Sequence, residues 1–194
     1  MKSNPEKHKI LSPFLNRLAV IFADIDHAYL TSSSYYNFHC KGCDENCCMT
    51  HFFHHTHMEY FYILEGISEL DSTLSASIYK KAREANQQSI SSIQQGDTVR
   101  LMCPLNSNGI CLIYNHRPMI CRMHGIPHEL RFPGKQTVFG KGCKAFEVQC
   151  EKKQYRPFDR TPFYVSMANL EKDMKQQLGI KKKFKKIIAQ MLVD

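Results

Sequence analysis

The sequence predicts a mainly helical α+β protein, a small single domain over 1–194 with an irregular cysteine-rich metal-binding centre and a short β-hairpin. Three observations lead to this prediction. Apolar residues recur at the helical period in both flanks, over about 12–30 and about 161–192. Strand-like runs surround a turn sequence in the middle of the chain. All nine cysteines lie within a metal-binding core of about 38–150.

The N-terminal half predicts three helices. Ser12 is a good N-cap and Pro13 suits a first helical position, so the first helix is expected over about 12–30. Thr56 and Glu59 have the spacing of a capping box at the start of a second helix. A third is expected over about 72–85. The apolar residues that support these helices are Phe14, Leu18, Ile21, Phe22, Ile25, Tyr29, Phe61, Leu64, Ile67, Leu74, Ile78 and Ala82.

The second half predicts a hairpin, loops and two more helices. Short strands are expected over 98–101 and 110–114, on either side of turn residues at 106–109. The glycines and prolines over 125–157 predict irregular loops that bound metal would organise. Thr161-Pro162 begins a helix that Gly179 ends, and a last helix follows. Its apolar stripe is Phe184, Ile187, Ile188, Met191 and Leu192.

The composition is that of a folded protein in a reducing compartment. Hydrophobic residues make up 43% of the chain and charged residues 23%, which excludes global disorder. No apolar run approaches the roughly 20 residues that cross a bilayer, and the N-terminus leads into no secretory signal core. We therefore expect a cytoplasmic protein with no membrane span. There, thiols are metal ligands or redox groups more often than disulfides.

The positive charge is a weak indication of a nucleic-acid partner. The formal net charge of +8 treats every cysteine as neutral. Four thiolates around Zn2+ or a [4Fe–4S]2+ cluster carry a net charge of about −2, so one filled site lowers the total to about +6. The lysines over 181–186 are explained by a helix that packs its apolar stripe and leaves its charges in water. We do not expect nucleic acid as a partner.

The first cysteine cluster has the spacing of a metal-binding loop. Two residues separate Cys40 from Cys43, so a tight turn can present both sulfurs to one metal, and Gly42 lets the backbone fold over it. Cys47 and Cys48 extend the set. Adjacent side chains diverge, so one of this pair can serve a second site or a different iron.

The second set of cysteines is widely spaced, and sequence proximity alone does not prove that its members share a metal. An isolated cysteine is most often a small buried hydrophobe. Their concentration in a loop-rich segment favours ligation instead. The spacing is neither that of a bacterial ferredoxin nor that of a zinc ribbon. The predicted ligands are Cys40, Cys43, Cys47, Cys48, Cys103, Cys111, Cys121 and Cys143, with Cys150 left open.

At these cysteines the chain resembles the YkgJ-type cysteine-cluster family, described as zinc- or iron-chelating domain proteins. The resemblance covers about 38–143 and rests on four segments in order. They are the opening cluster 40–48, Cys-Pro-Leu at 103–105, Gly-Ile-Cys-Leu-Ile-Tyr at 109–114 and Arg-Pro-Met-Ile-Cys-Arg at 117–122. The opening cluster has three residues between its second and third cysteines, where many members have two. The resemblance implies metal binding and names no reaction.

Four histidines follow the paired cysteines at His51, His54, His55 and His57. On a helix the first would share a face with the second or the third, and neutral imidazoles so placed could complete a metal site. The alternative is that they lie at the surface or donate hydrogen bonds to sulfurs and carboxylates. Because thiolates are already sufficient in number, the alternative is favoured.

Arg117 and Arg122 bracket Cys121. A cationic side chain beside anionic thiolates would stabilise the charge of a cluster and raise its reduction potential, so both are predicted to support the centre without ligating it. The alternative is an ordinary salt bridge with Glu129 or Asp97.

The function predicted from these patterns is a protein that holds an iron–sulfur cluster, expected as [4Fe–4S], for electron transfer or redox chemistry. It would then be a component of an oxidoreductase with a redox or protein partner. The alternatives are a structural Zn2+ that supports partner binding, and a metal-dependent enzyme. Iron is preferred because cysteines, some of them adjacent, outnumber the histidines nearby.

Overall fold

A computed structural model of the chain describes residues 5–40, 47–150 and 152–193. Of these residues 56% are helical and 7% lie in strands, which confirms the prediction of a mainly helical α+β fold. None of the helices in these ranges combines the length and apolar character that crossing a bilayer requires. The elements are α1 (Pro5–Tyr36), α2 (His57–Ser68), α3 (Ser72–Gln94), β1 (Asn106–Ser107), β2 (Ile110–Cys111), a 3-10 turn (Tyr114–His116), α4 (Met119–Met123), β3 (His128–Leu130), β4 (Val138–Gly140), α5 (Lys144–Cys150), α6 (Thr161–Leu178) and α7 (Ile188–Met191).

The chain groups into two compact units. Unit 1 consists of Met1–Cys43 and Arg122–Lys182, and unit 2 of Asp44–Cys121 and Lys183–Asp194. Each unit therefore combines segments that are distant in sequence. The prediction of a single domain stays a prediction.

Unit 1 is built on the packing of α1 against α6. Helix α1 is longer than the predicted 12–30, and Pro13 lies inside it rather than at its start. Leu11 and Leu15 are buried on either side of the proline, and this burial favours a continuous helix over a break at Pro13. The apolar faces of the two helices contribute Leu18, Phe22, Ile25, Met167, Leu170 and Met174 to the core.

The C-terminal part of unit 1 follows the prediction for α6 and differs from it over 125–157. Helix α6 has Pro162 in its first turn and ends at Gly179, whose φ of 65° closes the helix in the left-handed region. The irregular loops predicted before it contain the antiparallel hairpin β3–β4 and the short helix α5. In this segment Phe146 is buried and packs its ring edge-to-face on Tyr36 at a centroid distance of 4.8 Å, and the organising role of a metal stays a prediction.

In unit 2, α2 and α3 pack against residues around the hairpin β1–β2 and against the C-terminal segment. The Thr56 hydroxyl accepts the Glu59 N–H, which confirms the predicted N-cap of α2. Helix α3 is capped by Asp71 and runs to Gln94, beyond the predicted 72–85. Its buried face joins one core, whose members are Ile63, Ile67, Ile78, Ala82, Leu105, Ile113, Ile188, Met191 and Leu192.

The strands of the hairpin in unit 2 lie closer to the turn than the sequence predicts. No strand forms over 98–101, and β2 covers only the first two residues of the predicted 110–114. Instead β1 pairs with β2 directly across Asn108-Gly109. Both turn residues have positive φ, 52° and 82°, which two-residue hairpins prefer because the turn then matches the twist of the strands.

The last predicted helix is largely absent, although most of its apolar stripe is buried. Helix α7 has only four residues. Before it, the backbone of Lys186 exchanges two hydrogen bonds with that of His54, at 2.8 and 3.0 Å. This antiparallel bridge requires an extended backbone, so the chain cannot be helical there.

Candidate metal centre

The two units divide the predicted cysteine ligands between them. Cys40 and Cys143 belong to unit 1, as does Cys150, and Cys43 lies outside the described residues. The other predicted ligands all belong to unit 2. These are Cys47, Cys48, Cys103, Cys111 and Cys121. Whether all eight predicted ligands converge stays a prediction.

Four of the sulfurs in unit 2 form one group, which we call the thiol cluster: Cys47, Cys48, Cys103 and Cys111. Cys47 and Cys48 share a side-chain hydrogen bond, which raises the pKa of Cys48, and burial raises it further. Burial also raises the pKa of Cys103, and the other three sulfurs add to that effect. Coulombic influence weakens with distance, so cysteines that are distant in sequence lie near one another here.

The hairpin β1–β2 positions the two later members of the thiol cluster. Register pairs Cys111 with Asn106, and the N–H of Asn106 donates to the Cys103 carbonyl at 2.9 Å. The N–H of Cys103 in turn donates to the Cys48 carbonyl at 2.8 Å. Backbone hydrogen bonds thus connect the two cysteine segments that the sequence shows far apart.

Hydrogen-bond donors point at three of these sulfurs. The Leu105 N–H donates to the sulfur of Cys103, and the Ile113 N–H donates to that of Cys111. The side chain of Asn106, which is itself buried, bonds to Cys48. Each of these bonds favours the thiolate and so opposes the rise in pKa that burial causes. Donors to sulfur are a feature of metal–thiolate centres, where they tune the metal.

A cavity of about 50 Å³ lies beside the thiol cluster. Its volume is several times the 10–15 Å³ that one water needs. Two of the four candidate histidines line it, His51 and His54, together with Cys47, Cys48, Cys103 and Cys121. The Nε2 atom of His51 is buried and has no hydrogen-bond partner. The cavity therefore holds sulfur and nitrogen donors of the kind that bind Zn2+ and iron.

His54 belongs to a buried polar group that the sequence did not predict. Its side chain is 2% exposed, and its Nδ1 lies 3.6 Å from Oε1 of Glu59, which is 4% exposed. Burial raises the pKa of Glu59, but contacts with His54, Thr56 and the Met119 N–H outweigh it, and the pKa is lowered overall. The only sequence signal at Glu59 was the capping box. The capping box predicts the start of α2 correctly and carries no information about His54.

The other two histidines are placed differently. His55 is exposed. The ring of His57 packs against that of Phe184 at a centroid distance of 4.7 Å. The sequence could not separate the four histidines, because their local spacing is compatible with several faces.

The two predicted supporting arginines have different surroundings. The charge of Arg117 lowers the pKa of Cys111, which burial raises, and its guanidinium lies 3.7 Å from the ring centroid of Tyr114. In unit 1, Arg122 donates to Asp26 at 2.5 Å and lies over the ring of Phe22. Arg117 therefore acts electrostatically on the thiol cluster, and the supporting role of Arg122 stays a prediction.

Within residues 5–40, 47–150 and 152–193, no group of three or more His, Cys, Asp or Glu side chains meets the geometry of a metal site. Comparison of the chain with models of known protein families, with curated proteins and with solved structures finds no match. The resemblance to the YkgJ-type family rests on its spaced cysteine segments and stays a prediction.

Proposed function

We propose that this protein binds a metal centre through the thiolates of Cys47, Cys48, Cys103 and Cys111. We propose an iron–sulfur cluster as the form of this centre, used in electron transfer or redox chemistry with a redox protein as partner. The observation that carries the proposal is the thiol cluster itself, which brings four sulfurs from two segments of unit 2, 47–48 and 103–111, near one another. Four thiolates are the usual ligand set of such clusters.

The surroundings of the sulfurs support the same proposal. Bringing anionic thiolates together under partial burial is unfavourable unless a cation compensates their charge. N–H groups of Leu105 and Ile113 and the Asn106 side chain offset part of this cost, and Arg117 adds one positive charge near Cys111. A metal ion or cluster would supply the rest.

Zinc is a second candidate, favoured by one specific observation. The Nε2 atom of His51 is buried without a hydrogen-bond partner at the cavity that three members of the thiol cluster line. A neutral imidazole in this position suits a site with three sulfurs and one nitrogen, a common structural zinc set. The cavity of about 50 Å³ also favours a single ion.

Anaerobic purification, an absorption spectrum and analysis of iron, zinc and acid-labile sulfide test the proposal. Brown protein with matching iron and sulfide supports a cluster. Colourless protein with stoichiometric zinc supports the second candidate and excludes electron transfer by this centre. Cys103→Ser should lose the metal, whereas Cys150→Ser should keep it, because the Cys150 thiol is buried and donates to the Tyr36 carbonyl at 3.6 Å. Protein that binds neither metal, even after reconstitution, would overturn both candidates.

A further inference from the structure

We infer that His54 supplies a nitrogen ligand to this metal centre and that Glu59 is the positioning residue that orients its imidazole. The inference rests on the proposed function, because it concerns the same centre. It extends the centre from sulfur donors alone to a mixed sulfur and nitrogen set.

Both the backbone and the side chain of His54 are held by specific contacts. Its backbone is held from both sides by Lys186, through hydrogen bonds in each direction. Its imidazole is buried, lines the cavity together with Cys48 and Cys103, and has Nδ1 directed at Glu59. Because Nε2 is on the other side of the ring, it is the nitrogen left for the cavity.

The Glu59 carboxylate is held by contacts on both oxygens. Oε2 accepts the Thr56 hydroxyl at 2.7 Å, and Oε1 accepts the Met119 N–H at 3.0 Å. Burying a carboxylate is costly unless hydrogen bonds and charge compensate it. The role of Glu59 in a capping box would need none of this burial. The contacts therefore indicate that the carboxylate has a second role besides the capping box of α2.

In this second role, the Glu59 carboxylate selects the tautomer of the His54 imidazole. At 3.6 Å the contact from Nδ1 to Oε1 is longer than a hydrogen bond, but the negative charge still favours a proton on Nδ1. The lone pair is then on Nε2, as a metal requires. Carboxylate partners of this kind orient most metal-bound histidines and raise their basicity.

The same carboxylate also positions a sulfur. Met119 is the first residue of α4, and α4 carries Cys121, which lines the cavity. Through its two oxygens Glu59 therefore connects the start of this helix with Thr56 and His54. A single carboxylate therefore contacts both the imidazole of His54 and the helix that carries Cys121.

Cobalt(II) added to the metal-free full chain under anaerobic conditions tests the role of His54. X-ray absorption at the cobalt edge of the unsubstituted protein should show imidazole scattering beside sulfur. His54→Ala should shift the visible d–d bands and weaken cobalt binding at least about 10-fold, because a ligand is lost. His55→Ala is the matched control, since that neighbouring histidine is exposed. It should leave the d–d bands and the affinity for cobalt unchanged.

The outcomes separate this inference from the proposed function. Cobalt bound through sulfur alone, or a His54→Ala spectrum identical to that of the unsubstituted protein, overturns the inference and leaves a thiolate centre intact. The scattering measurement needs no substitution, so sulfur-only scattering overturns the inference even if His54→Ala fails to fold. His51→Ala should keep the imidazole scattering, and its loss in that variant would assign the nitrogen to His51 and overturn the inference as well. Failure of the unsubstituted protein to bind cobalt overturns the inference, and the proposed function falls only if iron and zinc are also absent.

Glu59→Gln tests the positioning role. It should raise the dissociation constant for cobalt about 10- to 100-fold while the spectrum keeps its sulfur bands. Glu69→Gln, at an exposed carboxylate just after the same helix, should not. If Glu59→Gln lowers the melting temperature of metal-free protein with no change in cobalt affinity, the role is only structural. Should Glu59→Gln not fold, Thr56→Ala removes one contact of the carboxylate and should still weaken binding several-fold.

Discussion

The backbone N–H of Cys103 donates to the carbonyl oxygen of Cys48 at 2.8 Å. This one bond joins the early cysteine segment to the hairpin that carries Cys111. It explains why sulfurs separated by most of unit 2 influence one another. The thiol cluster thus depends on backbone pairing, which Cys→Ser substitutions leave in place.

Asn106 should be important for the stability of the thiol cluster. Its buried side chain bonds to Cys48 and accepts the Gly109 N–H at 3.1 Å, so Asn106→Ala removes both interactions. We expect a loss of about 1–3 kcal/mol in the free energy of unfolding, as for other buried hydrogen-bonding groups. Urea denaturation of metal-free protein measures this loss. A change below about 0.5 kcal/mol would contradict the assigned hydrogen bonds.

Gly66→Ala should destabilise the protein although alanine is the better helix former. A Cβ at Gly66 would lie 2.7 Å from the Cβ and Cγ atoms of His116, which is too close. Overpacking costs about 1–3 kcal/mol, more than the roughly 1 kcal/mol that alanine gains within a helix. Thermal and urea unfolding give the sign directly.

A second substitution distinguishes this clash from other effects. In the His116→Gly background, Gly66→Ala should become neutral or stabilising, because both the Cβ and the imidazole that the new methyl group would meet are gone. The double-mutant cycle should therefore show a coupling energy above about 0.5 kcal/mol. An additive cycle would show that the helix and the 3-10 turn do not meet as described.

The stability of unit 1 should decrease as the pH falls from about 6.5 towards 4. Burial and the charge of Arg160 lower the pKa of His128 from 6.5 to about 4. The unfolded chain then binds a proton at a pH where the folded protein does not, so acid favours unfolding. Because the imidazole is only partly buried, we expect about 1–2 kcal/mol from this group.

Urea denaturation at pH 7.5 and pH 5 tests that expectation. His128→Gln should reduce the difference between the two pH values, whereas His55→Gln, at an exposed position, should not. An equal difference in the unsubstituted protein and in His128→Gln would assign the pH dependence to other groups.

Arg117 should have an electrostatic role and Arg122 a structural one. Arg117→Met removes a positive charge near Cys111, so it should lower the reduction potential of a redox-active centre. Arg122→Met removes the ion pair with Asp26 and should lower the free energy of unfolding by about 1–3 kcal/mol. Redox titration and urea denaturation of both variants make the comparison. A shift in potential for Arg122→Met and none for Arg117→Met would reverse the assignment.

Local chemistry made part of the fold predictable. Thr56 caps α2, and Gly179 closes α6, because both effects depend only on adjacent residues. The turn at Asn108-Gly109 was located for the same reason. In contrast, Pro13 predicts a helix start locally, yet burial on both sides keeps α1 continuous.

By itself the sequence determined the helical class, the stripes that enter the core and the cysteines and histidines available to a metal. Only the tertiary structure decided which of these residues meet. His51 and His54 have nearly the same sequence surroundings as His55, and long-range contacts alone distinguish them. Glu59 is a capping residue by its spacing, and it becomes the partner of His54 only because the bridge to Lys186 holds that histidine in place. Spacing encodes contacts within a turn or a helix, whereas contacts across the chain arise from the burial of whole segments.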